Sequence, residues 1–407
     1  MTCRLEPGVA ASPRLPRSLP APLAWIEPEL DALRGADLER PRRLRAGRQG
    51  REVELDGRRL LNFGSNDYLG YAGDVRLTKA ASKAACAEGF GAGASPLVSG
   101  HSLAHEGLEA ALAELLDVDA ALAFSSGYAA NTATIAALVG PGDVVLSDAR
   151  NHASIIDGCR LSRADVLVYP HRDPQAVATL LGGRQDARRR LIVTDALFSM
   201  DGTIAPLADL AAVARRHDAM LLVDEAHATG VFGSRGSGLV EELACADGVH
   251  VRIGTLSKAL GAAGGFVAGH ERLIHWLRHR ARAWIFSTAH PPAVAAAALR
   301  AVALVQAEPH RRRELRARAA DVRHALARHG IPTGDAAAQI VPVRTGTPAA
   351  AVALAERLAD AGCFVPAIRP PSVPVAGSLV RASLCWHHTA ADLAHLTDAI
   401  VRHVHNR

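Results

Sequence analysis

From about residue 75 onward the chain alternates stretches of helical periodicity with short, almost wholly apolar runs. The runs are Ala121-Leu-Ala-Phe, Val144-Val-Leu, Val166-Leu-Val-Tyr, Leu191-Ile-Val-Thr, Met220-Leu-Leu-Val, Val251-Arg-Ile-Gly and Gly265-Phe-Val-Ala. Most lack the alternation of a strand with one wet face, so burial on both faces is expected. Buried strands separated by helices predict an α/β fold on a large, mostly parallel sheet. Upstream, Ile26, Leu30 and Leu33 lie at helical spacing and predict an amphipathic helix over 23–40. Val53 to Phe63 reads as a hairpin turning at Asp56-Gly57. Residues 1–22, rich in Pro, Arg and Ala, have no periodicity and read as a flexible tail. Ala293–Val305 begins a long Ala/Arg-rich helix. The pattern then runs helix, strand (Gln339 to Val343), helix, strand (Leu379 to Leu384), helix, a smaller α+β arrangement. The expected organisation is a tail (1–22), a helix-and-hairpin segment (23–69), a large α/β domain (70–305) and a C-terminal α+β domain (306–407).

Composition narrows the class. A chain of 407 residues, 49% hydrophobic and 21% charged, can build two domains of an ordinary soluble protein. Its net charge of +5 comes without long basic tracts or interleaved aromatics, which argues against nucleic acid as a partner. No apolar run approaches a membrane span. Six scattered cysteines without a CxxC pair argue against a zinc site and a disulfide framework, and for a reducing compartment. The N-terminus lacks the apolar core of a signal peptide, so the cytoplasm is the expected location.

Lysine changes the picture. Only Lys79, Lys83 and Lys258 occur among 46 basic residues. Arginine replaces lysine as a charge but not where an amine must lose its proton and form an imine. Lys79 and Lys83 sit among alanines and are expected on an exposed helix face. Lys258, in Thr255-Leu-Ser-Lys-Ala-Leu-Gly, follows an apolar strand and precedes a Gly-rich turn, so it is the candidate Schiff-base lysine. Another strand ends in Asp224-Glu225-Ala-His227, where open α/β sheets bind ligands. A carboxylate buried there needs a cation, and a pyridinium nitrogen is one. Glu225 reads instead as a structural cap. The turn Ser125-Ser126-Gly127-Tyr128, ahead of Asn131, opens a helix whose backbone N–H groups can cup a phosphate. His152 and Ser199 end two further strands. An imine-forming lysine, an anion for a ring nitrogen and donors for a phosphate are the set that pyridoxal 5′-phosphate (PLP) requires.

In order along the chain, Ser65-Asn-Asp-Tyr-Leu-Gly, Leu97-Val-Ser-Gly-His, Phe198-Ser-Met-Asp-Gly, Val223-Asp-Glu-Ala-His-Ala-Thr-Gly, Thr255-Leu-Ser-Lys-Ala-Leu-Gly, Phe286-Ser-Thr-Ala and Ala367-Ile-Arg-Pro-Pro-Ser-Val-Pro resemble the motifs of the α-oxoamine synthases, a branch of the fold-type I PLP-dependent transferases. The resemblance covers nearly the whole chain, and within the family it is greatest to the branch serving biotin biosynthesis. It implies that Lys258 holds PLP and shuttles the substrate's Cα proton, and that Asp224 pairs with the ring nitrogen. His227 and Ser199 would address the ring oxygen, His152 would stack on the ring, and Gly127, Tyr128 and Thr255 would serve the phosphate. Arg381 would grip the amino-acid carboxylate with Asn66 nearby, Ser372 would keep a substrate-side hydroxyl, and Arg40 lies where the family has an arginine for the acyl carboxylate.

The implied reaction joins a small amino acid, L-alanine, to a pimeloyl-CoA or pimeloyl-acyl-carrier-protein thioester with loss of CO2. The implied assembly is a cytoplasmic homodimer with a shared active site, where Ser287 and Thr288 reach the phosphate in the other subunit. Departures from the family pattern include Asp195 for Glu, and His290 and Trp386-His387 near the acyl or CoA region. The motifs also accommodate a serine palmitoyltransferase-like, 2-amino-3-ketobutyrate CoA ligase-like or secondary-metabolite synthase. An aminotransferase is opposed by Ala-Ile-Arg-Pro-Pro, and a non-catalytic homologue by the presence of Lys258, Asp224, His152 and Arg381.

Overall fold

The computed structural model describes residues 19–405, and the segment 1–18 of the expected tail lies outside them. The chain divides between Arg42 and Arg43 into two compact units. In the first, a turn of 3-10 helix (Ala21–Leu23) precedes an α-helix at Ile26–Gly35. This helix is shorter than the expected 23–40. Asp37 adopts φ 56°, and the Leu38 N–H bonds back to the Leu33 carbonyl at 2.8 Å, which turns the chain out of the helix. Ile26 and Leu30 are half-buried and Leu33 is exposed. Arg40 lies beyond the helix, on an exposed stretch of this unit.

The second unit opens with strands β1 (Arg45–Ala46), β2 (Glu52–Leu55) and β3 (Arg58–Asn62). β2 and β3 form the expected hairpin. Asp56 and Gly57 take φ of 50° and 78°, the positive values that a two-residue hairpin turn demands at both positions. The seven apolar runs all become strands: β4 (Ala120–Phe124), β5 (Val144–Asp148), β6 (Asp165–Tyr169), β7 (Arg190–Asp195), β8 (Met220–Asp224), β9 (Val251–Thr255) and β10 (Gly265–Gly269). They form one sheet in the order β4-β10-β9-β8-β7-β5-β6. Only β10 runs antiparallel to its neighbours, so the sheet is mostly parallel as expected.

Alternate strand residues feed two separate cores. Val144, Leu146, Ile192, Leu221, Val223 and Phe266 pack on one side of the sheet. Leu122, Val145, Leu191, Val193, Leu222 and Ile253 pack on the other. This is why the runs show no alternation: both faces are covered by helices. β6 departs from that expectation. It is the edge strand, and Val168 is 64% exposed.

Strands β11 (Ile340–Arg344), β12 (Cys363–Phe364), β13 (Ala367–Ile368) and β14 (Leu379–Ser383) follow. β11, β14 and β13 make a small antiparallel sheet, while β12 pairs in parallel with β3. The Ala/Arg-rich helix is Pro292–Ala307, and the helix expected after it is Pro309–Arg328. Pro309 lacks an amide hydrogen and disfavours helical geometry at Glu308, whose φ and ψ are −120° and 55°. Lys79 and Lys83 lie exposed on the helix Val75–Glu88, as expected. Glu225 is structural, as expected. It is buried, takes the Val240 N–H at 2.9 Å and pairs with Arg252 through Nε at 2.7 Å.

Candidate active site

The sheet gathers the chemistry-bearing segments on one edge. β7 and β8 run parallel with Asp195 beside Asp224 at their carboxyl ends. β10 runs antiparallel between β4 and β9, so Gly265 stands opposite both Phe124 and Thr255. The ends of β4, β5, β7, β8 and β9 therefore point the same way. They present Gly127 and Tyr128, His152, Ser199, Asp224 and His227, and Lys258 in turn. This is the position where a parallel sheet offers a ligand crevice.

Lys258 Nζ lies 2.7 Å from His227 Nε2. Desolvation lowers the lysine's pKa to about 8, against the raising pull of Asp224 and Asp195. Roughly a tenth is then free amine at neutral pH, far more than for an ordinary lysine, and imine chemistry needs that form. His227 is buried. Desolvation, with Lys258 and Arg381 nearby, pushes its pKa well below the ordinary histidine value, so it is a neutral imidazole.

Asp224 is buried and accepts two hydrogen bonds, from Asn131 Nδ2 at 2.6 Å and from the Ala226 N–H at 2.8 Å. No ion pair to Asp224 forms among the described residues. A buried carboxylate held by neutral donors is prepared for a cation supplied by a ligand. Asn131 also donates to Ser154 Oγ at 2.9 Å, and Ser154 Oγ lies 2.8 Å from His152 Nδ1. The His152 N–H donates to Asp195 at 2.7 Å. His152 is thus fixed at both backbone and ring, while the residue as a whole stays exposed. Burial, then the neighbouring Asp224, push the Asp195 carboxyl well above its usual range.

Arg381, on β14, is buried. It donates to the Ser199 carbonyl at 2.9 Å and to Asn66 Oδ1 at 3.2 Å. Among the described residues its Nε is buried without a partner. A guanidinium with neutral acceptors and an unused donor suits a carboxylate.

At the other end, Ser126 caps the helix Gly127–Leu138 through Ala129. A Cβ on Gly265 would lie 2.4 Å from the Gly127 nitrogen, so the helix start sits directly on β10. Thr255 Oγ1 is 2.7 Å from Ser257 Oγ and donates to the Gly264 carbonyl at 2.8 Å. Lysine, buried carboxylate, exposed histidine and a helix N-terminus beside hydroxyls together fit PLP, and the lysine, Asp224 and Thr255 ends of that set lie on adjacent strands.

Ser372 and Arg40 are the remaining expected substrate residues. Ser372 is on an exposed loop between β13 and β14, and Arg40 belongs to the Met1–Arg42 unit. Tyr128 is largely exposed, with its hydroxyl donating to Asp157. Motif reading also left the partners of Asp224 and His227 unassigned. Asn131 follows Gly127 by one helical turn, a spacing that could have exposed it. Gln339, which donates to the His227 carbonyl at 3.0 Å, comes from the small sheet's approach and carries no such signal.

The family model for aminotransferase class I and II matches residues 58–400. The 8-amino-7-oxononanoate synthase of Anaeromyxobacter dehalogenans (strain 2CP-1) is 50% identical over 371 residues, covering 91% of this chain and 93% of the relative. A serine palmitoyltransferase from S. paucimobilis, solved with PLP and myriocin bound, superposes with a TM-score of 0.90 at 29% identity, covering 96% of this chain and 99% of that one. The 8-amino-7-oxononanoate synthase of Francisella tularensis gives a TM-score of 0.73 at 25% identity, covering 85% of this chain and 98% of that one. The chain belongs to the aminotransferase class I and II family, the fold-type I PLP-dependent transferases. Within it the chain falls among the α-oxoamine synthases, with the 8-amino-7-oxononanoate synthases, and is a PLP-dependent acyltransferase. Among the described residues no helix is long and apolar enough to cross a membrane.

Proposed function

We propose that the enzyme condenses L-alanine with a pimeloyl thioester, pimeloyl-CoA or pimeloyl-acyl carrier protein, in biotin biosynthesis. The products are 8-amino-7-oxononanoate, CO2 and the free thiol carrier. The observation that carries this reading is 50% identity to an 8-amino-7-oxononanoate synthase over 91% of the chain. PLP, when bound, supplies a carbonyl that captures amines and a ring that accepts the charge left when the Cα proton departs.

The chain's own residues divide the remaining work. Lys258 Nζ, its pKa lowered to about 8 by burial, anchors the cofactor and then takes and returns the Cα proton. Asp224 holds the proton at the ring nitrogen, and Asn131 keeps that carboxylate in place. With the cofactor bound, His227 and Ser199 would address the ring oxygen, and His152 would lie against the ring. Gly127, Tyr128 and Thr255 take the phosphate. Arg381 and Asn66 hold the alanine carboxylate, and Ser372 supplies a substrate-side hydroxyl. The new C–C bond forms between alanine Cα and the thioester carbonyl, the carrier thiolate leaves, and the carboxylate departs as CO2.

The working unit is a homodimer. Leu97 and Val98 are 56% and 78% exposed, and Phe286 stands 71% exposed on the neighbouring segment. Apolar side chains so placed suit a second copy of the chain. A sedimentation mass of a single chain would remove this part of the reading.

A serine- and palmitoyl-using reaction is the second reading, favoured by the TM-score of 0.90 to a serine palmitoyltransferase. A panel of pimeloyl, palmitoyl and acetyl thioesters against L-alanine, glycine and L-serine, scored by CoA release, separates the two. Fastest release with pimeloyl-CoA and L-alanine is expected; preference for palmitoyl-CoA and L-serine would replace the reading.

Arg381→Ala is expected to weaken L-alanine binding by about 2–5 kcal/mol, because a charge-assisted pair is lost and a carboxylate is left without its partner. Pimeloyl-CoA binding should change far less. Titrating L-alanine against the holoenzyme's visible absorbance measures this, and an unchanged dissociation constant would place the anchor elsewhere.

A further inference from the structure

Tyr68 lies in the Ser65-Asn-Asp-Tyr-Leu-Gly motif and has no part in the proposed chemistry, yet it is fully buried between two halves of the site. Its hydroxyl is 2.6 Å from His227 Nδ1 and 3.2 Å from Asn66 Oδ1. His227 Nε2 is 2.7 Å from Lys258 Nζ, and Asn66 Oδ1 accepts from Arg381 Nη2 at 3.2 Å. The contacts form one unbroken chain: lysine, imidazole, phenol, amide, guanidinium.

We infer that Tyr68 is a positioning residue that sets the tautomer of His227 and couples the proton state at the Lys258 end to the carboxylate anchor at Arg381. The inference rests on the proposed roles of Lys258 and Arg381. A neutral imidazole carries one ring proton and a phenol one, so the chain has two self-consistent arrangements. With a charged lysine, Nζ–H donates to Nε2, Nδ1–H donates to Tyr68, and Tyr68 donates to Asn66. With a neutral amine, Nε2–H points at Lys258, Tyr68 donates to Nδ1, and Asn66 Oδ1 keeps Arg381 alone. Each change at the lysine therefore adds or removes one donor at the amide that steadies Arg381.

The charged and titratable groups around the chain support both arrangements. Burial, with Lys258, Arg381 and His152 facing it, keeps His227 neutral. Lys258 faces Asp224, Asp195 and Arg381. Burial pushes the Tyr68 phenol up to about 12, so it stays protonated and always has one hydrogen to give.

The test uses holoenzyme and L-lactate, which carries the carboxylate of L-alanine without the amine. Tyr68→Phe removes the link and little volume. Two effects are expected together. L-lactate affinity falls about five- to tenfold, the size of one hydrogen bond. The pH midpoint for reconstitution of the apoprotein with PLP, which reads Lys258 as a free amine, shifts by about half to one unit. A purely structural tyrosine would lower the melting temperature and move neither. Asn66→Ala cuts the same chain at its far end and should shift the reconstitution midpoint too, which covers the case of a Tyr68→Phe protein that does not fold. Arg381→Ala separates the two levels of the argument. If it abolishes L-lactate binding while Tyr68→Phe and Asn66→Ala leave the midpoint in place, the coupling is overturned and the carboxylate anchor stands. If Arg381→Ala binds L-lactate normally, the anchor falls and the coupling with it.

Discussion

Lys258→Arg is expected to lower turnover by at least ~10³-fold, since it removes both the imine-forming amine and the acid–base group at the Cα proton. The guanidinium keeps its proton at any working pH and has no free amine to offer. Size and charge are nearly conserved, so the loss isolates the chemistry of the amine. The wild-type environment sharpens the contrast. Burial brings Lys258 to about pH 8, so its neutral fraction rises as pH climbs through that value. Reconstitution of the apoprotein with PLP should accelerate over the same range, because only the neutral amine attacks the cofactor's carbonyl. The variant should bind PLP weakly, without the visible band of the holoenzyme or its sensitivity to borohydride. Condensation by Lys258→Arg near the wild-type rate would sink the assignment. Few chains offer so clean a setting for this substitution, because 43 of the 46 Lys and Arg residues are already arginine.

What the sequence disclosed follows from which interactions are local. Strands β4 to β10 were legible because each carries a short, almost wholly apolar run, and two covered faces require one. The same rule misjudged β6, since nothing in Val166-Leu-Val-Tyr says that the strand lies at an edge with Val168 in the open. β12 and β13 have two residues each and leave no period to detect. The hairpin turn was readable because Asp-Gly supplies positive φ locally, whereas the early end of the Ile26–Gly35 helix depends on Asp37 adopting φ 56°. At the site, motifs named Lys258, Asp224, His152, His227 and Arg381 singly. Their wiring was hidden. Asn131 reaches Asp224 across 93 residues and Tyr68 reaches His227 across 159, and those pairings arise only once the sheet order is set.

Asp224→Asn is expected to keep PLP bound and to lose about 10²–10³ in kcat, the scale of removing one preorganised electrostatic partner from a charge-developing step. The side chain is buried, and its two oxygens accept from Asn131 Nδ2 and the Ala226 N–H. In the variant one oxygen becomes an amide NH2 and meets a donor. Asn131 can turn to relieve this, because its own Oδ1 is buried without a partner and can accept the new hydrogen. The fold should therefore survive, and the loss should fall on the reaction. An amide carries no charge with which to hold a proton at the cofactor's ring nitrogen, so the carbanion formed at alanine Cα would be left poorly stabilised. A second readout is independent of turnover. Asp224 raises the Lys258 pKa, so its neutralisation should move that midpoint below about 8. The pH dependence of PLP reconstitution should shift to lower pH accordingly. Wild-type kcat with an unshifted lysine midpoint would mean that Asp224 serves only the fold; a lost kcat with bound cofactor and a lowered midpoint is the result that the buried, ion-pair-free carboxylate leads us to expect.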